Sequence, residues 1–128
     1  MRRYVVIVNT IAALALAGCA AREPIATIAH ASIPASKPAR LSEVAAAIQR
    51  AGKAAGWRMS AEAPGILVAR RELRSHVAVV EIEHSTSAYS IRYRESVNLD
   101  AGNGRIHRAF NDWVKSLDRA IQAQLRGL

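Results

Sequence analysis

With a single cysteine, the chain can form no internal disulfide, so any folded domain must be held by its own core. No H-x-x-x-H pair and no Cys–His spacing occurs, which removes the common zinc arrangements. His76 and His84 share a strand face but lie about 27 Å apart by strand rise, too far to bind one metal together. His30 and His107 stand alone. No nucleophile–base pair is visible, and Gly102-x-Gly104 is too short to cradle a phosphate. There is no internal repeat. The longest apolar run, Tyr4 to Ala17, falls short of the roughly 20 residues that a permanent membrane helix needs.

That run nevertheless has a recognisable setting. Met1-Arg2-Arg3 precedes it, and small residues close it, which is the order of a secretory signal peptide. Leu16-Ala17-Gly18-Cys19 then resembles the lipobox of bacterial lipoproteins. The resemblance implies a diacylglyceryl thioether on Cys19, cleavage before it, and acylation of the new amino group. This covalent lipid is the only cofactor-like group expected, and no metal is expected. Loss of residues 1–18 leaves 110 residues and removes Arg2 and Arg3, lowering the formal charge from +8 to +6. Acyl chains contribute about 0.8 kcal/mol per buried methylene, so two or more anchor firmly. Ala20 and Ala21 lack the Asp that retains enteric lipoproteins in the inner membrane, so the expected location is the outer membrane, facing the periplasm. Export makes nucleic acid an unsuitable partner for a basic domain.

Residues 19–40 read as the lipidated Cys followed by a flexible tether. Pro24, Pro34 and Pro38 interrupt regular structure, and some 20 residues of extended chain would reach roughly 60 Å. The domain is then expected over 41–128. Ser42 suits a helix N-cap, and Glu43 suits the first turn. Leu41, Val44, Ala45, Ile48, Ala51 and Ala55 share one face, predicting a helix over 42–55 that Gly52 or Gly56 stops. From Trp57 the period becomes two. Strands are predicted around Trp57–Glu62, Ile66–Ala69, His76–His84 and Tyr89–Arg94, with Pro64-Gly65 as a turn and Arg70–Ser75 as a connection.

A two-residue turn at Thr86-Ser87 sets the last register. Ile82 then faces Ile91, Val80 faces Tyr93, Glu83 faces Ser90 and Glu81 faces Arg92; a one-residue slip would break both the apolar and the charged matches. Ser96–Gly104 reads as a loop. Ile106, Phe110, Trp113, Leu117, Ile121 and Leu125 form an apolar stripe on a long helix beginning at Ile106. The expected fold class is α+β in two layers, α-β-β-β-β-α, with an antiparallel four-stranded meander and both helices packed on one face. Val77 and Val79 would be exposed on the other face, and with Leu67 or Ile66 would form an apolar patch.

Tyr89-Ser90-Ile91-Arg92-Tyr93, Ser96-Val97-Asn98-Leu99 and Ile106-His107-Arg108-Ala109-Phe110-Asn111-Asp112-Trp113-Val114 together resemble small uncharacterised lipoproteins of Gram-negative bacteria. In those a Y-S-I-x-Y strand leads through an Asn-Leu loop into an I-H-x-x-Y-N-x-W helix. Phe110 stands here in place of the Tyr. The resemblance implies an envelope lipoprotein and brings no active site with it.

Two surfaces are candidates for function. Asn98, Asp100, Asn103, His107 and Asn111 form the densest polar cluster. Its functional reading is a small-ligand or enzymatic site around Asn98, Asp100, His107 and Asn111; its structural reading is turn formation and capping, with His107 and Asn111 pinning the loop onto the helix. Arg105, Arg108, Lys115, Arg119 and Arg126 form an outward stripe, interrupted by Asp112 and Gln122. That stripe suits an anionic surface or an acidic envelope partner, or is an ordinary solvated face. The sequence therefore favours a lipid-anchored, non-enzymatic binding or scaffolding domain over an enzyme, without fixing its partner or oligomeric state.

Overall fold

A computed structural model describes residues 21–34, 36 and 39–128. The expected signal segment and Cys19 lie outside the described residues. Helix α1 spans Leu41–Ala54 and is capped by Arg40, not Ser42. Arg40 offers no side-chain cap; its guanidinium instead bonds Glu43 one turn on, at 2.9 Å. The C-terminal end is a Schellman turn. Gly56 adopts φ +87°, its N–H donates to the Lys53 carbonyl, and the Trp57 N–H donates to the Gly52 carbonyl at 2.8 Å. Gly56, not Gly52, is thus the stop. Gly52 packs within the helix, where a Cβ would collide with the Met59 thioether.

Four strands follow: Arg58–Ala63, Ile66–Leu73, His76–His84 and Ala88–Val97. The expected connection at Arg70–Ser75 is mostly strand, because the turn is only Arg74-Ser75, with Arg74 at φ +57°. The last hairpin has the register read from its side chains, with Val80 opposite Tyr93, Glu81 opposite Arg92, Ile82 opposite Ile91 and Glu83 opposite Ser90. A bulge between Val79 and Val80 then absorbs one residue, and the strand from Ala88 continues to Val97.

The chain is α+β, but the sheet is not a simple four-stranded meander. A strand at Ile28–Ser32 pairs antiparallel with Ala88–Val97 and adds a fifth strand at that edge. A further strand at Arg22–Pro24 pairs with Arg105–His107 to make a small second sheet. We number these strands in chain order: β1 Arg22–Pro24, β2 Ile28–Ser32, β3 Arg58–Ala63, β4 Ile66–Leu73, β5 His76–His84, β6 Ala88–Val97 and β7 Arg105–His107. The larger sheet has the order β2-β6-β5-β4-β3.

The expectation of a flexible tether over 19–40 is therefore corrected. Residues 22–24 and 28–32 are strands packed with the domain, so the ordered fold does not begin at 41. Prolines mislead here because Pro24 closes a three-residue strand, where a missing N–H costs little. His30, at φ +50°, and the bulge between Ile28 and Ala31 remove the clean alternation by which β2 could be recognised.

Helix α2 spans Arg108–Leu125. Ile106 lies in β7 rather than in the helix, but it is fully buried. Phe110, Val114, Leu117, Ile121 and Leu125 carry the buried stripe; Trp113 is only half-buried, and Val114 takes the place assigned to it. Val44, Ala47, Ile48 and Ala51 of α1 join the same core, against Leu67, Ala69, Ala78, Val80, Ile82, Tyr89 and Ile91 of the sheet. On the opposite face Val79 is 4% exposed, not open as expected, and Val77 is half-buried. Leu67 belongs to the core, so it takes no part in the expected apolar patch.

Candidate functional site

The loop from Asn98 to Gly104 is built from residues that tolerate left-handed backbone. Asn98, Asp100 and Asn103 sit at φ +56°, +51° and +54°, where Asn and Asp are less strained than other side chains. Asn98 donates from its amide to the Ser75 carbonyl at 3.0 Å, and its own carbonyl lies 2.7 Å from His76 Nδ1. Asn98 thereby ties the loop to the β4–β5 turn. Asp100 is exposed and makes no side-chain bond among the described residues. Leu99 is buried, and its carbonyl accepts the His107 N–H at 2.8 Å.

His107 caps α2: its Nδ1 accepts the Ala109 N–H at 3.1 Å. Asn111 turns the other way. Its Nδ2 donates to Glu23 Oε2 and to the Pro24 carbonyl, each at 2.9 Å, and its Oδ1 accepts the Ala26 N–H at 2.9 Å. This side chain, 4% exposed, clamps the N-terminal segment onto α2 rather than pinning the loop. Asn98, Asp100, His107 and Asn111 share no hydrogen-bond partner, and none bonds another.

A second polar group was not legible in the sequence. The Tyr89 hydroxyl, on the core face of β6, donates to Asp118 and accepts from Gln122 Nε2 at 2.6 Å. Burial, reinforced by the Asp118 hydrogen bond, raises its ionisation above the ordinary tyrosine range. The only sequence signal is an i,i+4 polar pair on a helix facing a core-facing Tyr. Arg71 is a related case. It enters between the helices, donates to the Ala55 carbonyl at the end of α1 and lies 5.0 Å from the Trp113 ring centroid. A cation at that helix end offsets the dipole.

His84 ends the core face of β5. It is 7% exposed, and its Nδ1 has no partner among the described residues. Burial lowers its pKa, so the folded chain binds that proton less readily than the unfolded chain. The resulting stability is complete above the unfolded value of about 6.5 and is lost as pH falls below it. We expect the melting temperature to fall between about pH 7 and pH 5, and His84→Gln to flatten that part of the profile. An identical profile in the variant would assign the loss to other groups.

His84 also borders a cleft of 460 Å³ beneath the β3–β4 turn, walled mainly by Leu41, Ala45, Ala61, Pro64 and Leu67. None of Asn98, Asp100, Asn103, His107 and Asn111 lines it. Among the described residues, no cluster of three His, Cys, Asp or Glu side chains could hold a metal ion, and no helix is long and apolar enough to cross a membrane.

Charge is distributed unevenly between the layers. On the open face of the sheet three arginines are paired: Arg94 with Glu62 at 2.9 Å, Arg92 with Glu83 at 3.3 Å and Arg70 with Glu72 at 2.6 Å; Arg58 there forms no ion pair among the described residues. The Arg94 hydrogen bond holds the Glu62 carboxyl below its usual range. The outward side of α2 is different. Arg108, Lys115, Arg119 and Arg126 lie there, while Arg105, expected on the same stripe, belongs to β7 ahead of the helix; all five are exposed, and among the described residues none of them forms an ion pair. Arg105 donates to the Arg22 carbonyl and Arg119 to the Ser116 hydroxyl.

Comparison with protein-family models, with curated proteins and with solved structures yields no match.

Proposed function

We propose that the chain is a lipoprotein of the bacterial envelope, acylated on Cys19 and held at the outer membrane facing the periplasm, whose domain binds or scaffolds another envelope component without catalysing a reaction. The observation that carries the non-catalytic part is the use to which the polar cluster is put. Asn98 Nδ2, His107 Nδ1 and both polar atoms of Asn111 are engaged in bonds within the fold, and no hydrogen bond joins them or the exposed Asp100 into an acid–base pair. A catalytic group must have its reacting atom free and within reach of a substrate. The apolar cleft under the β3–β4 turn supplies an accessible binding surface of a kind that a partner's side chain fits.

The lipid part rests on the basic start, the apolar run and the Leu16-Ala17-Gly18-Cys19 box, and on the likeness of the Tyr89–Val114 stretch to small Gram-negative lipoproteins. Cys19→Ser removes the thiol that accepts the lipid. The variant should accumulate as an uncleaved precursor, and intact-protein mass spectrometry should find no acyl mass on it. A substituted protein that still matures with acyl chains would refute the assignment. Cross-linking in intact envelopes, followed by recovery of the lipidated chain, tests the binding role: one recurrent envelope partner supports it.

A further inference from the structure

We infer that the domain lies flat on its own membrane, with the outward face of α2 against anionic phospholipid headgroups, rather than hanging from a tether. The inference rests on the lipid-anchor reading above and adds an orientation to it. The Ala21 carbonyl accepts the N–H of Arg108, the first residue of α2, at 2.8 Å. The following residues are fixed as well: β1 pairs with β7, the Ile25 N–H donates to the Gly104 carbonyl at 3.0 Å, and the Arg22 guanidinium donates to the Gly102 carbonyl at 2.7 Å. Cys19 is two residues upstream of Ala21, so chain geometry limits their separation to about 7 Å. An acylated Cys19 must therefore enter the bilayer beside the N-terminal end of α2.

Charge selects which side then faces the lipid. Arg108, Lys115, Arg119 and Arg126 recur at spacings of seven, four and seven along α2, which keeps them on one side of a 3.6-residue helix. Asp112 is the one acid on that stripe. No acid lies in the first turn of α2, so Arg108 sits where the helix dipole disfavours a cation. The helix N-terminus itself is not the anion site, because the Arg108 and Ala109 N–H groups are already bonded to Ala21 and His107. The side chains are what remain free. The opposite side of the molecule, the open sheet face, has Arg70, Arg92 and Arg94 paired with glutamates. Lying on α2 puts four unpaired cations on the headgroups and leaves in water the face on which Arg70, Arg92 and Arg94 are ion-paired.

The test uses the full lipidated protein in mixed phosphatidylglycerol–phosphatidylcholine vesicles that carry nitroxide-headgroup lipid. Acylation consumes the Cys19 thiol, so one introduced cysteine takes a fluorophore uniquely. Ala101→Cys reports the anchor end, Ala123→Cys the far part of the outward α2 face, and Ser60→Cys the open sheet face; all three positions are exposed. Strong quenching at 101 and 123 with none at 60 is expected. Arg119→Glu or Lys115→Glu, vesicles of phosphatidylcholine alone, or salt near 0.5 M should each abolish quenching at 123 while the protein still floats with the vesicles.

Quenching at 101 alone would mean that the domain stands on end, and equal, weak quenching at all three would mean a tether; either overturns the inference and leaves the lipid anchor intact. Quenching at 123 that persists on phosphatidylcholine alone would refute headgroup charge as the cause. Protein that neither floats nor carries acyl mass would overturn the anchor reading and this inference together.

Discussion

Phe110→Ala should destabilise the domain by about 3 to 5 kcal/mol, the range for truncating a large aromatic side chain in a closed core. Phe110 is fully buried, and its ring meets Tyr93 edge-on at 5.6 Å and 69°. The substitution loses transfer energy, leaves a cavity and removes an aromatic pair that itself contributes about 0.5 to 1.5 kcal/mol. A domain of this size has only about 5 to 15 kcal/mol in total, so a substantial unfolded fraction is expected at growth temperature. Trp113→Ala is the informative contrast. Its ring is half-buried and covered by the Arg71 guanidinium at 5.0 Å, so the loss should be nearer 1 to 2 kcal/mol, roughly. Urea unfolding of the two variants, compared at constant m-value, checks this order. A Trp113 variant as damaged as the Phe110 variant would show that the indole, not Val114, belongs to the core stripe.

That contrast shows where sequence reasoning was strong and where it lost resolution. The periodicity of α2 located a buried face, but Trp113 and Val114 are adjacent, and a stripe of spacings three and four admits either. The phenyl ring and the leucines were unambiguous because no large apolar neighbour competes for their positions. The β5–β6 register was legible for a different reason. Apolar and charged pairs must match simultaneously, and Glu81 with Arg92 and Ile82 with Ile91 satisfy both only in one alignment. The edge strands carried no such information. β1 and β2 are held mostly by backbone pairing, and in β2 only Ile28 and Ala31 are even half-buried. Ala-, Ser- and Pro-rich composition then looks like a linker. For the polar cluster, residue types were visible but their partners were not. The left-handed backbone at Asn98, Asp100 and Asn103 explains the composition locally, whereas Asn111 bonds residues 85 to 88 positions away.

Asn111→Ala should release the N-terminal segment while leaving the rest of the domain folded. The native amide fills one donor–acceptor pattern with three partners: Glu23, the Pro24 carbonyl and the Ala26 N–H. Leaving a buried partner unsatisfied costs about 1 to 3 kcal/mol. The full sum is not expected, because β1 has three residues and can leave for water once its clamp is gone. The loss should level off at about 2 to 4 kcal/mol, with the excess avoided by detachment. Amide exchange should therefore accelerate at Arg22, Glu23 and Ala26, and also at Arg108, whose N–H donates to Ala21, while Val80 and Ile82 stay protected. Asn111→Asp is the sharper variant. It preserves shape and can still accept the Ala26 N–H, but it loses both donors and sets a carboxylate against Glu23. Its segment should loosen at neutral pH and tighten again as acid protonates the introduced carboxylate. Unchanged exchange at Ala26 in both variants would remove Asn111 from its role as clamp. Detachment also has a consequence at the membrane. With residues 21–26 released, the anchor would gain a flexible lead, and in lipidated protein the Asn111→Ala change should weaken the quenching at Ala123→Cys without reducing flotation.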